Sequence, residues 1–254
     1  MGDRPEEGYH ASMQGRFSIA LASLVAALVC VLVPTAASAA PSGGLSPLSS
    51  VEVVGSGKLA WAQVAVRSRP SLAAPVVTTL GQFRDDFYPR TVMALEQRPK
   101  GARATWYRIS VPGRPNGRSG WVPAASVRIA RVDRWVVVYR ESRRFEFYVD
   151  GRLRRSGPVA VGARGMETPI GLFYVQAKFT PRKYPILGAF AFETSGYSKL
   201  SDWPGGGVVG LHGTDTPSLI GQAVSHGCVR LRNEDVLYLR TLVGPGVPVK
   251  IVRA

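Results

Sequence analysis

The sequence predicts a mainly β protein made of two successive β units, and three observations carry that expectation. Past residue 50 the apolar runs are short and bounded by Pro, Gly, Asn and Asp. They are rich in Val, Ile, Trp, Tyr and Phe, and only one stretch near the C-terminus keeps a helical pattern. At 254 residues, with 45% hydrophobic and 19% charged residues, the chain can bury two cores and is too apolar for a disordered polyelectrolyte.

The elements follow in chain order. Phe17 to Val33 (FSIALASLVAALVCVLV) is a mostly apolar run preceded by Arg16 and followed by Pro34 and Ala37-Ser38-Ala39. A charged start, an apolar middle and a small-residue cut site predict a secretory signal over residues 1–39, cleaved after Ala39. An uncleaved anchor is the alternative, since a membrane span needs about 20 apolar residues. Asp3, Glu6 and Glu7 are foreign to a positive leader start, and initiation at Met13 would remove them. Residues 40–50, with PSGGLSPLSS, read as a linker.

In residues 51–131, strands are expected at Ala62–Val66, Val76–Leu80, Thr91–Leu95, Trp106–Val111, Trp121–Pro123 and Val127–Ile129, which together suggest a small β-barrel. In residues 132–254 the strands lengthen: Trp135–Tyr139, Arg144–Val149, then the hairpin signal Asp150-Gly151 leading into Arg152–Val161. Thr168–Val175 reads as a turn and a strand, and Val208–His212 as a buried strand ending at a histidine. A helix starts at Asn233, read as its cap, carries Glu234 and Asp235 in its first turn, and stops at Gly244-Pro245. Val247–Val252 closes the chain as a strand.

Thirty-two basic residues against 17 acidic ones give +15. Cleavage would remove two basic and three acidic residues, leaving 30 against 14, or +16. An exported chain of this charge suits an anionic wall polymer or membrane surface better than nucleic acid; a solvated arginine surface is the plainer alternative. Two cysteines exclude a disulfide scaffold or a multi-thiolate zinc module.

Cleavage would also remove Cys30 and His10, leaving Cys228, His212 and His226 within one seventeen-residue window. They stand in Leu211-His212-Gly213-Thr214 and Ser225-His226-Gly227-Cys228-Val229-Arg230. A free thiol is only about 3% thiolate at neutral pH, and an adjacent imidazole can take its proton and leave a potent nucleophile. Gly213 and Gly227 would let the backbone approach a reacting carbonyl, with amides near Cys228 forming an oxyanion hole. Three plainer readings stay open on the residues alone: a buried cysteine, a His212/His226/Cys228 zinc site, and a simple turn.

Two stretches resemble known families. VAVRSRPS and WYRISVPGRPNGRSGWV are similar to bacterial Src-homology-three-like (SH3-like) domains, which implies a small barrel over 51–131 that positions the protein on the wall. His212-Gly213, thirteen residues before Ser225-His226-Gly227-Cys228 with Arg230 two past the cysteine, resembles the L,D-transpeptidase catalytic domain over 132–254. Thr168-Pro169-x-Gly171-x-Phe173 also matches that family upstream. The implied second fold is an L,D-transpeptidase-type β-sandwich with one or two short helices.

The resemblance further implies an exported enzyme, periplasmic or wall-associated, acting on peptidoglycan stem peptides without cofactor or metal. Its membrane contact would be limited to an uncleaved leader, and anionic wall polymers would be its other partners. Cys228 would attack the third residue of a tetrapeptide stem and expel D-alanine. His212 would be base and then acid, its ring fixed by a backbone carbonyl near Gly213. His226 would orient the loop or assist proton transfer, Ser225 would hydrogen-bond within the turn, and Arg230 would meet a stem carboxylate. Trp203 and Tyr197, with Gly205–Gly207, would cover a peptide groove. The competing functions are an L,D-carboxypeptidase, a sortase-like transpeptidase, disfavoured by the sixteen-residue His-to-Cys separation, and a non-catalytic wall-binding protein.

Overall fold

The computed structural model describes residues 53–101, 103–202 and 206–254. The leader, the linker and Trp203 lie outside these. Seven strands form the first sheet: β1 (Gly55–Leu59), β2 (Gln63–Arg67), β3 (Val76–Gly81), β4 (Thr91–Arg98), β5 (Trp106–Ser110), β6 (Ser119–Pro123) and β7 (Val127–Ala130). Their order is β3-β2-β6-β5-β4-β1-β7. Val64, Val66, Val92, Ile109 and Val122 fill its core. Six of the strands fall where the apolar runs predict them. β1 does not, because GSGKL has two glycines in five residues and little intrinsic strand preference.

The second sheet begins with β8 (Arg134–Tyr139), β9 (Arg144–Val149) and β10 (Arg152–Pro158). Asp150 and Gly151 join β9 to β10 with φ of 50° and 72°, the two positive values a tight hairpin turn requires. Alternation in β9 is clear. Phe145 and Phe147 enter the core, while Glu146 faces the other way and accepts from the Tyr139 and Tyr148 hydroxyls at 2.5 Å and from Arg144 at 2.7 Å.

The remaining strands are β11 (Val161–Gly162), β12 (Gly171–Phe179), β13 (Ala191–Tyr197), β14 (Val208–His212), β15 (Ala223–Ser225), β16 (Val229–Arg230) and β17 (Pro248–Val252). The eight-stranded order is β10-β9-β8-β17-β12-β13-β14-β16, with β11 and β15 as a separate parallel pair. β12 changes partners along its length: Gly171–Tyr174 pair with β17, and Val175–Phe179 pair with β13, with a bulge between Val175 and Ala177. One core then takes residues from both ends of the sheet, including Val136, Phe147, Phe173, Phe192, Leu211 and Val229.

The one α-helix among the described residues, α1 (Asn233–Leu242), seals this core with Val236 and Leu239. Asp235, 3% exposed in its first turn, receives Arg155 of β10 at 2.7 Å. The capping expectation is corrected here. Arg232 occupies the cap position, with no side-chain cap bond, and Asn233 is already helical. Its side chain reaches sideways: Oδ1 accepts from the amides of Ala189 at 3.0 Å and Thr214 at 3.1 Å, and Nδ2 donates to the Thr214 carbonyl at 2.9 Å. A side-chain amide satisfies backbone groups better here than in a cap, because the chain leaving β14 offers both a donor and an acceptor.

The two sheets meet through polar groups. Arg84, in the β3–β4 connection of the first, donates to both oxygens of Glu193 (2.9 and 3.0 Å) and to Gln176 (3.0 Å), and Ser56 Oγ donates to the Gly246 carbonyl at 2.5 Å.

Asn233→Ala strands three backbone groups, two at the exit of β14 and one just before β13. The expected loss is about 2 to 3 kcal/mol in urea unfolding, from the cost of unsatisfied buried polar groups.

Candidate active site

β14 and β16 run parallel and adjacent, with Leu211 opposite Val229 and His212 opposite Arg230. Side chains alternate along a strand, so this register sorts them by face. Leu211, Val229 and Leu231 go into the core. Gly210, His212, Cys228 and Arg230 share the other face, the Gly210 amide donating to Cys228 Sγ at 3.3 Å. The sequence expectation that His212 ends a buried strand holds, and Cys228 is a free thiol.

His212 is 3% exposed, and its Nδ1 lies 2.6 Å from the carbonyl of Gly213. A carbonyl only accepts, so Nδ1 carries the proton and Nε2 is left as the basic nitrogen. Burial pushes the imidazole down to about 4, outweighing the help of the Gly213 carbonyl, and the Arg230 charge pushes the same way. Burial also pushes the Cys228 thiol up, while the Gly210 amide and Arg230 pull it back in part. Both shifts favour the uncharged form, thiol beside neutral imidazole.

The turn before Cys228 is held by Ser225, whose Oγ donates to the Cys228 carbonyl at 2.5 Å and accepts from the Gly227 amide at 3.1 Å. Gly227 sits at φ 116°, and a Cβ there would lie 2.6 Å from that of Ser198. At Gly213 a Cβ would fall 2.1 Å from Asn233 Oδ1. Both glycines make room for protein neighbours. The Gly227 amide, engaged by Ser225, is likewise committed within the turn. His226 is half-buried in it.

Arg230 is 9% exposed, its backbone paired both ways with Ala160. Its Nε is buried without a hydrogen-bond partner. Tyr197 is corrected in place: it stands at the end of β13 with its ring 5.0 Å beneath the Arg114 guanidinium, and it does not line the cavity.

That cavity, of about 460 Å³, is bounded by His212, Cys228, Gly210 and Val208 on one side. Phe179, Tyr184, Ile186, Leu187, Phe192 and Glu193 form the rest. The sequence reading missed this apolar wall. Its signal was present in KFTPRKYPILGAF, where Phe179, Tyr184 and Ile186 are 42, 62 and 50% exposed. Among the described residues no three His, Cys, Asp or Glu side chains converge as a metal site would require.

Comparison with known proteins places this geometry in a family. The L,D-transpeptidase catalytic domain (YkuD) matches residues 133–251. A protein of Bacillus licheniformis named as the L,D-transpeptidase YkuD is 34% identical over 116 residues, 46% of this chain and 64% of its own length. One of Bacillus subtilis named as the L,D-transpeptidase YqjB is 30% identical over 125 residues, 47% of this chain and 71% of its own. The chain thus spans just under two thirds of the first relative. An L,D-transpeptidase crystal structure from Mycobacterium tuberculosis H37Rv superposes with a TM-score of 0.45 at 14% identity, covering 80% of this chain and 97% of that one. With its His-Gly strand and Ser-His-Gly-Cys turn set side by side over one cavity, the chain belongs to the L,D-transpeptidase catalytic-domain family.

Proposed function

We propose that the chain is an exported peptidoglycan L,D-transpeptidase with Cys228 as nucleophile. The observation that carries the reading is that His212 and Cys228 stand on one face of adjoining parallel strands and line one cavity, the ring held by its far nitrogen. Nε2 of His212 takes the thiol proton as Sγ bonds to the carbonyl carbon of the third stem residue. The tetrahedral oxyanion is assigned to the amide of Cys228, since that of Gly227 serves Ser225. As the carbon–nitrogen bond to D-alanine breaks, His212 returns the proton to the leaving amine. The side-chain amine of a second stem then displaces the thiol from the thioester; water in its place would give carboxypeptidase activity.

Arg230 does not line the cavity; its assignment to a stem carboxylate rests on its place two residues past Cys228 and its charge on the same strand face. The apolar wall from Phe179 to Phe192 fits the aliphatic part of a stem. His226 is assigned to orienting the loop. Export rests on the leader-like residues 1–39, and the +15 charge suits an anionic wall. Residues 51–131, similar to SH3-like domains, would hold the enzyme there.

Exposure to a carbapenem, which this family accepts as an acylating analogue, should add one drug mass at Cys228 in intact-mass analysis. Cys228→Ala should take up none. His212→Ala should acylate about 10²- to 10⁴-fold more slowly, the usual worth of a positioned base. An unmodified, folded wild-type protein would count against the enzyme and favour the wall-binding alternative.

The neutral resting pair has its own pH signature. Because the thiol is raised and the imidazole is neutral above about pH 4, the thiolate fraction grows with pH. Alkylation of Cys228 by iodoacetamide should climb about tenfold per unit between pH 6 and 8. A plateau below pH 7 would reveal a thiolate–imidazolium pair instead.

A further inference from the structure

We propose that Arg114, in the first sheet's β5–β6 connection, is a positioning residue for Cys228, so that the N-terminal sheet is a working part of the active site. The inference rests on the enzyme reading above. The Arg114 guanidinium donates to three backbone carbonyls of the β13–β14 connection: NH2 to Ser198 and Leu200, NH1 to Gly206, each at 2.8 Å. It also stacks over the Tyr197 ring. Two residues on, Asn116 trades a reciprocal pair of bonds with the Tyr197 backbone, Nδ2 to the carbonyl at 2.7 Å and Oδ1 from the amide at 2.9 Å, as a neighbouring strand would.

Both ends of this connection touch the nucleophile's surroundings. Ser198 bonds through its amide to the Gly207 carbonyl at 2.8 Å and packs directly on Gly227, the residue before Cys228. Gly207 leads into Val208, whose carbonyl lies 3.9 Å from Cys228 Sγ and which lines the same cavity. Three carbonyls directed at one point are held there together by a cation with several fixed donors. Only the planar fork of arginine supplies that; lysine keeps the charge but not the geometry. Without Arg114, water replaces its donors at these largely exposed carbonyls, the three are no longer tied to one point, and the backbone flanking Sγ loses that constraint.

The test uses the full chain. Carbapenem acylation of Arg114→Ala is followed against drug concentration by intact mass, beside iodoacetamide alkylation and thermal melting. Sub-ångström placement relative to His212 and the amides matters for acylation, while alkylation needs only an accessible thiolate. The limiting acylation rate should fall about 10- to 100-fold, the half-saturating concentration should change less, and alkylation should stay within about threefold. Arg114→Lys should recover part of the loss, and Asn116→Ala should show a smaller one. If Arg114→Ala does not fold, the lysine and Asn116→Ala variants carry the same test. Folded variants that acylate at the wild-type rate overturn the proposal, as does a parallel loss of acylation and alkylation. A wild-type protein that forms no adduct defeats the enzyme reading itself and this inference with it.

Discussion

The parallel pairing of β14 with β16 is the constraint on which the rest depends. These are short strands, five and two residues long, yet their register places His212 beside Arg230 and Gly210 beside the thiol. A slip by one residue would send His212 and Cys228 into the core and bring Leu211 and Val229 out to the cavity. The register is protected from both faces. Leu211, Val229 and Leu231 are locked into the hydrophobic core, and the Leu231 amide donates to the His212 carbonyl at 2.7 Å. Asn233 then pins the chain where it leaves β14.

Electrostatics around the pair follow from that placement. A surface thiol–imidazole pair would be solvated and free to ionise; here burial opposes charge on both partners, and the Arg230 guanidinium opposes it on the imidazole. The Gly213 carbonyl fixes the ring without adding negative charge. An imidazole protonated on Nδ1 and unprotonated on Nε2 follows.

Loops of the N-terminal sheet bond to segments of the second sheet. Arg84 holds Glu193 in the cavity wall, and Arg114 and Asn116 hold the connection before β14. Arg114 and Asn116 lie in Pro112–Gly117, a stretch whose Pro, Gly and Asn content reads from sequence only as a loop. The same tertiary contact moved Tyr197 from a presumed groove-covering residue to a ring stacked under Arg114. Trp203 was read with it and lies outside the described residues.

Much of this protein was legible in one dimension. Val136–Val138, the Phe145/Phe147 alternation, the Asp150-Gly151 turn and α1 are local patterns, set by period, turn conformation and propensity within a few residues. The candidate site was legible in part too, because Cys228, His212 and His226 cluster within one window and two of them, His212 and Cys228, line one cavity. β13 was not, since AFETSGY has weak strand preference and exists through its pairing with β12 and β14. Neither was the role of Asn233, which caps nothing and ties β14 instead, nor the apolar wall from Phe179 to Phe192, nor the reach of Arg114 across 84 positions to Ser198. Sequence determined which groups were available and which local shapes they preferred; the fold alone determined which distant backbone carbonyls and side chains would meet, because hydrogen-bond partners far apart in the chain leave no periodic trace in it.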